Sequence, residues 1–361
     1  MGMELSSKTW KVAFGDGQKH REVDVEAGDM GGLLRAIEKS KDRLGLPKDC
    51  PVSSCYEAGR DGFWLDRFLV AHGVENVLVD AASIEVSRQA RRAKTDRLDA
   101  QQLLGKLVEH GAGKKVWKVV RVPSEEAEDE RRGHRERGRL LKERTGHRNR
   151  IRSLLVLQGI RRMPRVEDYE KDLGRMRRWD GQELPGRVQE ELLRECRRLA
   201  VVEEQLRELK QKRRREERQP QSVAQSQAVK LKQLKAVGTV SAEILTTEFF
   251  GWRQFQNRRQ VGSLAGLTGT PYDSGGSRRE QGISKAGNPR VRATMIELAW
   301  SWLRWQRGSA LTKWFWERFG HGSPRMRRVG IVALARKLLV ALWKYLERDE
   351  IPAGAVLRAA S

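Results

Sequence analysis

The first 110 residues alternate short β-type runs with helical patterns, and this alternation restricts the region to an α/β fold. Four runs have the composition of strands: Thr9 to Phe14, Arg21 to Val25, Val52 to Tyr56 and Val74 to Val79. Helical patterns are predicted at about residues 29–44, 62–72 and 96–109. The first two runs are close enough for a hairpin at Gly15-Asp16-Gly17, whereas helices join the later runs. The sequence therefore predicts a mixed sheet that is antiparallel at its start.

The charge of the chain indicates a polyanionic partner. Lys and Arg total 72 against 48 Asp and Glu, a formal net charge of +24, and nucleic acid is the obvious partner for such an excess. A chain of 361 residues with 38% hydrophobic content and no long apolar run predicts a soluble protein of two or three domains without a membrane segment. The N-terminus has no signal-peptide core, and the three cysteines form no CxxC pair. We therefore expect a cytoplasmic protein without disulfides or a zinc site.

Four acidic residues are candidates for a metal site. Asp96 and Asp99 are three residues apart at a predicted helix start, so they share a face. Glu57 ends a strand-like run, and Glu4 lies in the N-terminal run. Carboxylates on a first strand, at a later strand end and on a following helix are what a ribonuclease-H-like nuclease requires, and four of them can cage Mg²⁺. By spacing alone, a pair like Asp96 and Asp99 is more often a solvated helix face or a complement to the helix dipole.

The middle of the chain, residues 124–219, is polar, charged and helical. Thirteen cations between Arg131 and Arg165 face only Glu136 and Glu143, which is more than pairing along one helix can balance. We interpret this span as a phosphate-binding surface rather than a solvated face. A helix at about residues 188–218 carries a coiled-coil-like apolar stripe that can pack within the monomer or between protomers. Contact between protomers is favoured, because long, charge-laced helices usually need a partner, and a linker is predicted at residues 219–227.

The last block, residues 228–361, contains a helical pair and an unusual loop. Two apolar helical segments flank Val237-Gly238-Thr239-Val240, which resembles a helix-hairpin-helix turn and equally fits an ordinary helical corner. Residues 264–290 fit neither a helix nor a strand and are predicted to form a glycine-, serine- and arginine-rich loop. Its cations surround small residues, which suits contact with a phosphodiester, although a flexible linker has a similar composition. The tryptophans of this block are interpreted as packing residues, and the scattered histidines carry no predicted general-base or zinc role.

Taken in order, these motifs resemble the insertion-sequence-110-type transposases. The resemblance rests on Glu57-Ala58, the Lys94 to Ala100 motif, Val237-Gly238, Leu264 to Leu267, Ser274-Gly275 and Ile283 to Arg290. It implies an N-terminal RuvC-like domain with a carboxylate tetrad, a C-terminal domain with a nucleophilic serine, and a structured bridge RNA that selects donor and target DNA. Carried onto this sequence, the tetrad that holds Mg²⁺ or Mn²⁺ is Glu4, Glu57, Asp96 and Asp99. The serine is Ser274, in preference to Ser277 and Ser284.

One of these positions departs from the family pattern. The family usually has Asp where this chain has Glu4. The extra methylene of Glu shifts a ligand oxygen by about an ångström, and Mg²⁺ tolerates poor geometry badly.

The resemblance also implies the domains, the binding residues and the assembly. The domains are an RNase-H-like nuclease at 1–123, a basic helical region at 124–219 and a helical transposase domain at 228–361. The nucleic-acid-binding residues are Lys94, Arg97, Arg131, Arg135, Arg139, Arg148, Arg152, Arg278, Arg279, Lys285, Asn288 and Arg290. We expect a nucleoid-associated bacterial or archaeal homodimer or homotetramer that recombines DNA through a covalent serine–DNA link. The alternatives are a catalytically idle nucleic-acid-binding protein and a metal-dependent junction nuclease without a serine nucleophile.

Overall fold

The computed structural model describes residues 1–59, 61–80, 83–84, 96–274 and 277–359, and it includes no side-chain description for residues 96, 97 and 271–281. The chain divides into two compact units, Met1–Pro123 and Ser124–Ser361. No helix within the described ranges is both long and apolar enough to cross a lipid bilayer.

The first unit is built on a five-stranded mixed sheet, with helices between its later strands. Its elements are β1 Gly2–Glu4, β2 Thr9–Gly15, β3 His20–Glu26, α1 Met30–Leu44, β4 Val52–Glu57, α2 Trp64–Ala71, β5 Val74–Val79 and α3 Asp96–Gly111. The strand order is β3-β2-β1-β4-β5, with β1 antiparallel to β2 and parallel to β4. The predicted α/β fold with a mixed sheet is therefore confirmed. The hairpin at Gly15-Asp16-Gly17 is also present, because Gly15 pairs with His20 across its ends.

Alternation along the strands divides the core of this unit between the two faces of the sheet. Met3 and Tyr56 point to one face, where they join a buried cluster with Leu33 of α1 and Leu69 of α2. Cys55 points to the other face. There it packs with apolar side chains of α3, including Leu103 and Leu107. Strands β1 and β4 are therefore covered on both sides.

The second unit is mainly helical and contains one two-stranded sheet among its described residues. Its elements are α4 Glu125–Asp129, α5 Arg131–Val156, α6 Tyr169–Arg175, α7 Gly186–Arg218, α8 Val223–Lys232, α9 Thr239–Leu245, the π-helix Thr246–Phe250, α10 Arg258–Leu264, β6 Gly269–Ser274, β7 Ser277–Ile283, α11 Pro289–Trp305, α12 Ala310–Phe319 and α13 Pro324–Arg348. Its largest buried cluster includes Trp302 and Trp343, which fits the packing role predicted for tryptophan. Trp300, Trp305 and Trp316 are about half exposed.

The apolar stripe of α7 packs within the chain. Leu192, Cys196 and Leu199 are buried against Ile151 and Leu155 of α5. The preference for a contact between protomers through this stripe was therefore wrong, because α5 already supplies the partner helix that the stripe needs. The predicted linker is also shorter than expected, since α8 begins at Val223 with Ser222 as its N-cap.

Candidate active site and nucleic-acid contacts

Glu4 and Glu57 lie at the carboxyl ends of two neighbouring parallel strands. Gly2 pairs with Cys55 and Met3 with Tyr56, so one further step along β1 and β4 brings Glu4 beside Glu57. Because side chains alternate along a strand, both glutamates belong to the face that carries Cys55. Glu4 is half-buried and Glu57 is exposed. The sheet therefore presents two carboxylates side by side at one edge.

Helix α3 crosses this face very closely. A Cβ atom on Gly2 would lie 2.5 Å from the Leu104 nitrogen and 2.6 Å from the Ala100 oxygen, so only glycine fits there. Further along α3, Leu104 approaches Gly15, which lies beyond the amino end of β1. Helix α3 therefore runs antiparallel to β1, and its first turn lies towards the edge that carries Glu4 and Glu57.

The first turn of α3 contains the two predicted aspartates. Asp96 is the first residue of the helix, and Asp99 follows three residues later with a half-buried side chain. The backbone thus directs all four predicted tetrad positions to one edge of the sheet. The side chains of Asp96 and Arg97 are outside the described part of the chain, as is the whole of Lys94.

The metal-binding capacity of this edge depends on its carboxylates. Among the described side chains, no three Asp, Glu, His or Cys groups come together closely enough to hold a metal ion. Glu4, Glu57 and Asp99 alone therefore do not form the predicted cage. Their donor chemistry nevertheless suits a hard cation, because Mg²⁺ and Mn²⁺ prefer carboxylate oxygens.

The segment that carries Ser274 is a β-hairpin. Strands β6 and β7 pair antiparallel, with Ser274 opposite Ser277 at the end of the ladder. The prediction that residues 264–290 form neither helix nor strand was therefore wrong. Their composition hides the alternation of apolar residues that identifies a strand. The Gly-Gly pair at positions 275 and 276 is the signal that was missed, since it favours a two-residue hairpin turn.

The base of this hairpin is held together by backbone contacts. The Ser284 amide donates to the Thr268 carbonyl at 2.8 Å, and the Asn288 amide donates to the Leu264 carbonyl at 3.2 Å. Gly266 and Gly287 have positive φ angles of 66° and 112°, and a Cβ atom at either position would overlap neighbouring backbone. These glycines allow the two ends of the hairpin segment to approach closely.

A buried carboxylate that the sequence analysis did not identify lies beneath this base. Glu248, in the π-helix, is 1% exposed and accepts hydrogen bonds from Arg135 Nε at 2.7 Å and from Asn288 Nδ2 at 2.9 Å. His134 Nε2 lies 3.1 Å from its Oε1. Burial alone would raise the pKa of the Glu248 carboxyl, but the contacts with His134, Arg135 and Asn288 outweigh it and hold the pKa well below its usual value.

Three of the predicted phosphate ligands have partners within the second unit. Arg131 is 6% exposed, and its guanidinium lies 4.3 Å from the ring centroid of Trp252. Arg135 is bound to Glu248. Asn288 also binds Glu248, and its Oδ1 caps the amides of Arg290 and Val291 at the start of α11. Glu248 therefore partners Arg135 and Asn288 and the Trp252 ring lies against Arg131, and a phosphate contact by these three residues stays a prediction.

The other predicted basic ligands occupy surface positions. Arg139, Arg148 and Arg152 are exposed on α5, and Lys285 and Arg290 are exposed beyond β7. Helix α7 supplies some of the acids that α5 lacks, since Arg148 pairs with Glu203 at 3.6 Å and His147 with Glu195 at 2.7 Å. These ion pairs with α7 partly neutralise the positive charge of α5. Arg278 and Arg279 lie on β7, and their side chains are outside the described part.

We expect Glu248→Gln to lower the free energy of unfolding by about 1.5–3 kcal/mol, because it removes the charge that pairs with Arg135. Glu243→Gln is the matched control five residues earlier. Burial raises the pKa of Glu243, so neutralising that carboxyl should lower the free energy of unfolding by a smaller amount. Urea unfolding at neutral pH measures both variants.

The pH dependence tests the same carboxylate. The pKa of Glu248 is lowered by folding, so its stabilisation is complete well above the unfolded value of about 4.3 and is lost as the pH falls below it. The difference in stability between the wild-type protein and Glu248→Gln should therefore shrink between about pH 5 and pH 3. A difference that stays constant across this range would show that the charge of Glu248 does not stabilise the fold.

Comparison with known proteins identifies the family of the chain. Residues 228–314 match the family model described as Transposase IS116/IS110/IS902 family. The chain is also 40% identical, over 378 aligned positions, to y4rJ of Sinorhizobium fredii, a protein named provisionally as a transposase, with 99% of this chain and 94% of that protein covered. The chain belongs to this transposase family.

Two further relatives of the transposase are more distant. It is 26% identical to y4qE of Sinorhizobium fredii, also named provisionally as a transposase, over 84% of this chain and 71% of that protein. It is 29% identical to the transposase for insertion sequence element IS1328 of Yersinia enterocolitica, over 32% of this chain and 34% of that protein. The segment matched by the family model contains Glu248, Ser274 and Asn288. The base of the hairpin in this transposase therefore lies within the family segment.

Proposed function

We propose that this transposase cleaves and rejoins DNA strands by phosphoryl transfer, with the Ser274 hydroxyl as nucleophile. The observation that carries the proposal is the direction of Glu4, Glu57 and the first turn of α3 to one edge of the sheet, in a chain of a transposase family. Carboxylates on the first strand, at a later strand end and on a following helix are what an RNase-H-like nuclease requires. We therefore assign a RuvC-like nuclease role to the first unit.

The carboxylate edge would hold Mg²⁺ or Mn²⁺ through Glu4, Glu57, Asp96 and Asp99. When bound, the ion polarises the phosphate and stabilises the leaving oxygen. Lys94 and Arg97, which flank Asp96 in the sequence, would contact the phosphates of the DNA near this edge. Glu4 stands where the family usually has Asp, and its longer side chain would shift the ligand oxygen relative to the other carboxylates.

The serine step balances without an external energy source. The Ser274 Oγ forms a bond to phosphorus while the bond from phosphorus to a deoxyribose oxygen breaks. The serine proton passes to a carboxylate, and the leaving oxygen takes up a proton. Arg278 or Arg279, which pair with Asp273 and Tyr272 in the hairpin ladder, would neutralise the non-bridging oxygens. Attack by the hydroxyl of another strand reverses the step, so strands can be rejoined without ATP.

A structured guide RNA is the second proposed partner, with donor and target DNA as the first. The exposed arginines of α5 would bind RNA mainly through phosphates, while base pairing supplies the sequence specificity. The surface pairs of Arg139 with Glu136 and Glu143 are weak enough for RNA phosphates to replace them.

Replacing Arg139, Arg148 and Arg152 together with Gln should weaken binding to unrelated structured RNAs alike. The slope of log affinity against log salt should become shallower by about 2–3, since about 0.7–0.9 is lost for each phosphate contact. Arg194, Arg207 and Arg214 on the exposed surface of α7 provide a control triple with the same change in charge. A loss confined to one RNA sequence would instead mean that α5 reads bases directly.

Covalent trapping tests the proposed function. The transposase is incubated with Mg²⁺, its guide RNA and labelled donor and target DNA, and the reaction is stopped in denaturing detergent. A protein–DNA adduct is the expected result, because a serine nucleophile remains bonded to phosphorus. Cleavage that requires metal but leaves no adduct would mean attack by water. Tight binding with neither product would mean an idle binding protein.

A further inference from the structure

A basic groove lies between α10, α12 and α13 in the second unit, with a cavity volume of about 510 Å³. Among the described residues, its lining contains five cations, Arg258, Arg259, Arg336, Lys337 and Lys344, and no carboxylate. The apolar part of its lining is formed by residues such as Gly262, Val340 and Ala341. The groove thus combines an apolar floor with positive charge from two helices.

The positive charge of the groove is largely uncompensated among the described residues. Arg258, Arg259 and Arg336 are exposed and form no ion pair with a described carboxylate. Lys337 lies with its Nζ 4.6 Å from the Trp314 ring centroid, and Lys344 pairs with Glu350 at 3.0 Å outside the groove lining. Like charges gathered in this way repel one another, and an anion in the groove removes that repulsion.

The groove adjoins the base of the serine hairpin. Thr268 lines it and directly precedes β6, whose last residue is Ser274. A strand advances about 3.3 Å per residue, so Ser274 lies within about 20 Å of Thr268. Because one DNA strand advances about 3.4 Å per nucleotide, that reach corresponds to about six nucleotides.

We propose that this groove binds the sugar–phosphate backbone of the DNA, within about six nucleotides of the phosphate that Ser274 attacks. The proposal rests on the function proposed for Ser274. The cations would pair with successive phosphates, while the sugars lie on the apolar floor. The groove adjoins the hairpin that carries Ser274, whose proposed substrate is DNA, and this favours DNA over RNA as the occupant.

Replacing Arg258, Arg336 and Lys337 together with Gln tests the groove. The control triple replaces Lys313, Arg318 and Arg325, which are exposed elsewhere in the same unit, so the change in net charge is equal. The probes are a DNA duplex of about 30 base pairs and an RNA hairpin with the same number of phosphates, both of arbitrary sequence. For DNA, the groove triple should reduce the slope of log affinity against log salt by about 2.7, and the control triple should leave it unchanged.

Three results decide the outcome. RNA affinity within about twofold of the wild type for the groove triple, together with the DNA effect, supports the proposal. Equal effects of the two triple variants on DNA binding would mean that the groove contributes only to the overall positive charge. Loss of RNA binding instead of DNA binding would mean that the groove binds RNA. Either overturns the proposal. Thermal unfolding of both triples confirms that neither loses the fold.

The failure of the groove proposal can be separated from that of the serine. If Ser274→Ala still forms the covalent adduct while the groove triple loses DNA contacts, the serine assignment fails and the groove remains a DNA site. If Ser274→Ala loses the adduct while the groove triple binds DNA like the wild type, only the groove proposal fails.

Discussion

Asp99→Asn should reduce the rate of strand cleavage by more than about 100-fold. Mutation of a residue that only hydrogen-bonds to a metal ligand typically lowers activity 10–100-fold, and loss of the ligand itself should lower it further. DNA affinity should stay within about twofold, since one carboxylate matters little beside a formal net charge of +24. Asp99 is half-buried in the first turn of α3, over the edge that carries Glu4 and Glu57. Cleavage of labelled DNA under single-turnover conditions measures the effect.

Two companion variants sharpen this prediction. Asp42→Asn removes an exposed acid of α1 in the same unit, and it should cleave at the wild-type rate. Glu4→Asp shortens the ligand to the residue that the family usually has, and it should raise the rate. Normal cleavage by Asp99→Asn would remove the carboxylate edge from the mechanism.

A mixture of Ser274→Ala and Asp96→Ala proteins should recover cleavage, although each protein alone is inactive. The reason is that the serine and the carboxylates belong to different compact units, and exchange between two duplexes needs several active sites in one complex. We therefore expect a dimer or tetramer in which one chain supplies Ser274 and another supplies the tetrad. The covalent adduct should form on the Asp96→Ala chain, which keeps its serine, and a size tag on that chain identifies it.

The control for this experiment is proof that mixed oligomers exist. Co-purification of differently tagged chains provides it. No recovery of cleavage in demonstrably mixed oligomers would place both halves of the active site in one chain.

The fold of the first unit was predictable because its local signals agree with its tertiary packing. The run from Val52 to Tyr56 is apolar enough for a strand covered on both faces, and the glycines around Asp16 fix a hairpin. The first strand was harder to define, because Gly2 has no strand propensity. Its place is explained only by the approach of α3, which is a contact between residues about 100 positions apart in the sequence.

The second unit depends more on long-range contacts, and the predictions there were weaker. The stripe of α7 is compatible with any apolar partner, and only the fold shows that α5 provides it. Glu248 is a single acid in an apolar segment, so no spacing marks it as the partner of Arg135 and Asn288. A count of arginines likewise does not show which of them have partners within the protein, as Arg135 has in Glu248.

The proposed mechanism requires Ser274 as the nucleophile, and mapping the residue that carries the adduct identifies the nucleophile. The trapped complex is digested with protease and nuclease, and the peptide that carries the residual nucleotide is sequenced by mass spectrometry. We expect a nucleotide linked to the Oγ of Ser274, and Ser274→Ala should abolish the adduct while Ser277→Ala retains it. A nucleotide on Ser277 or Ser284, or an adduct that survives Ser274→Ala, would rule out Ser274 as the nucleophile.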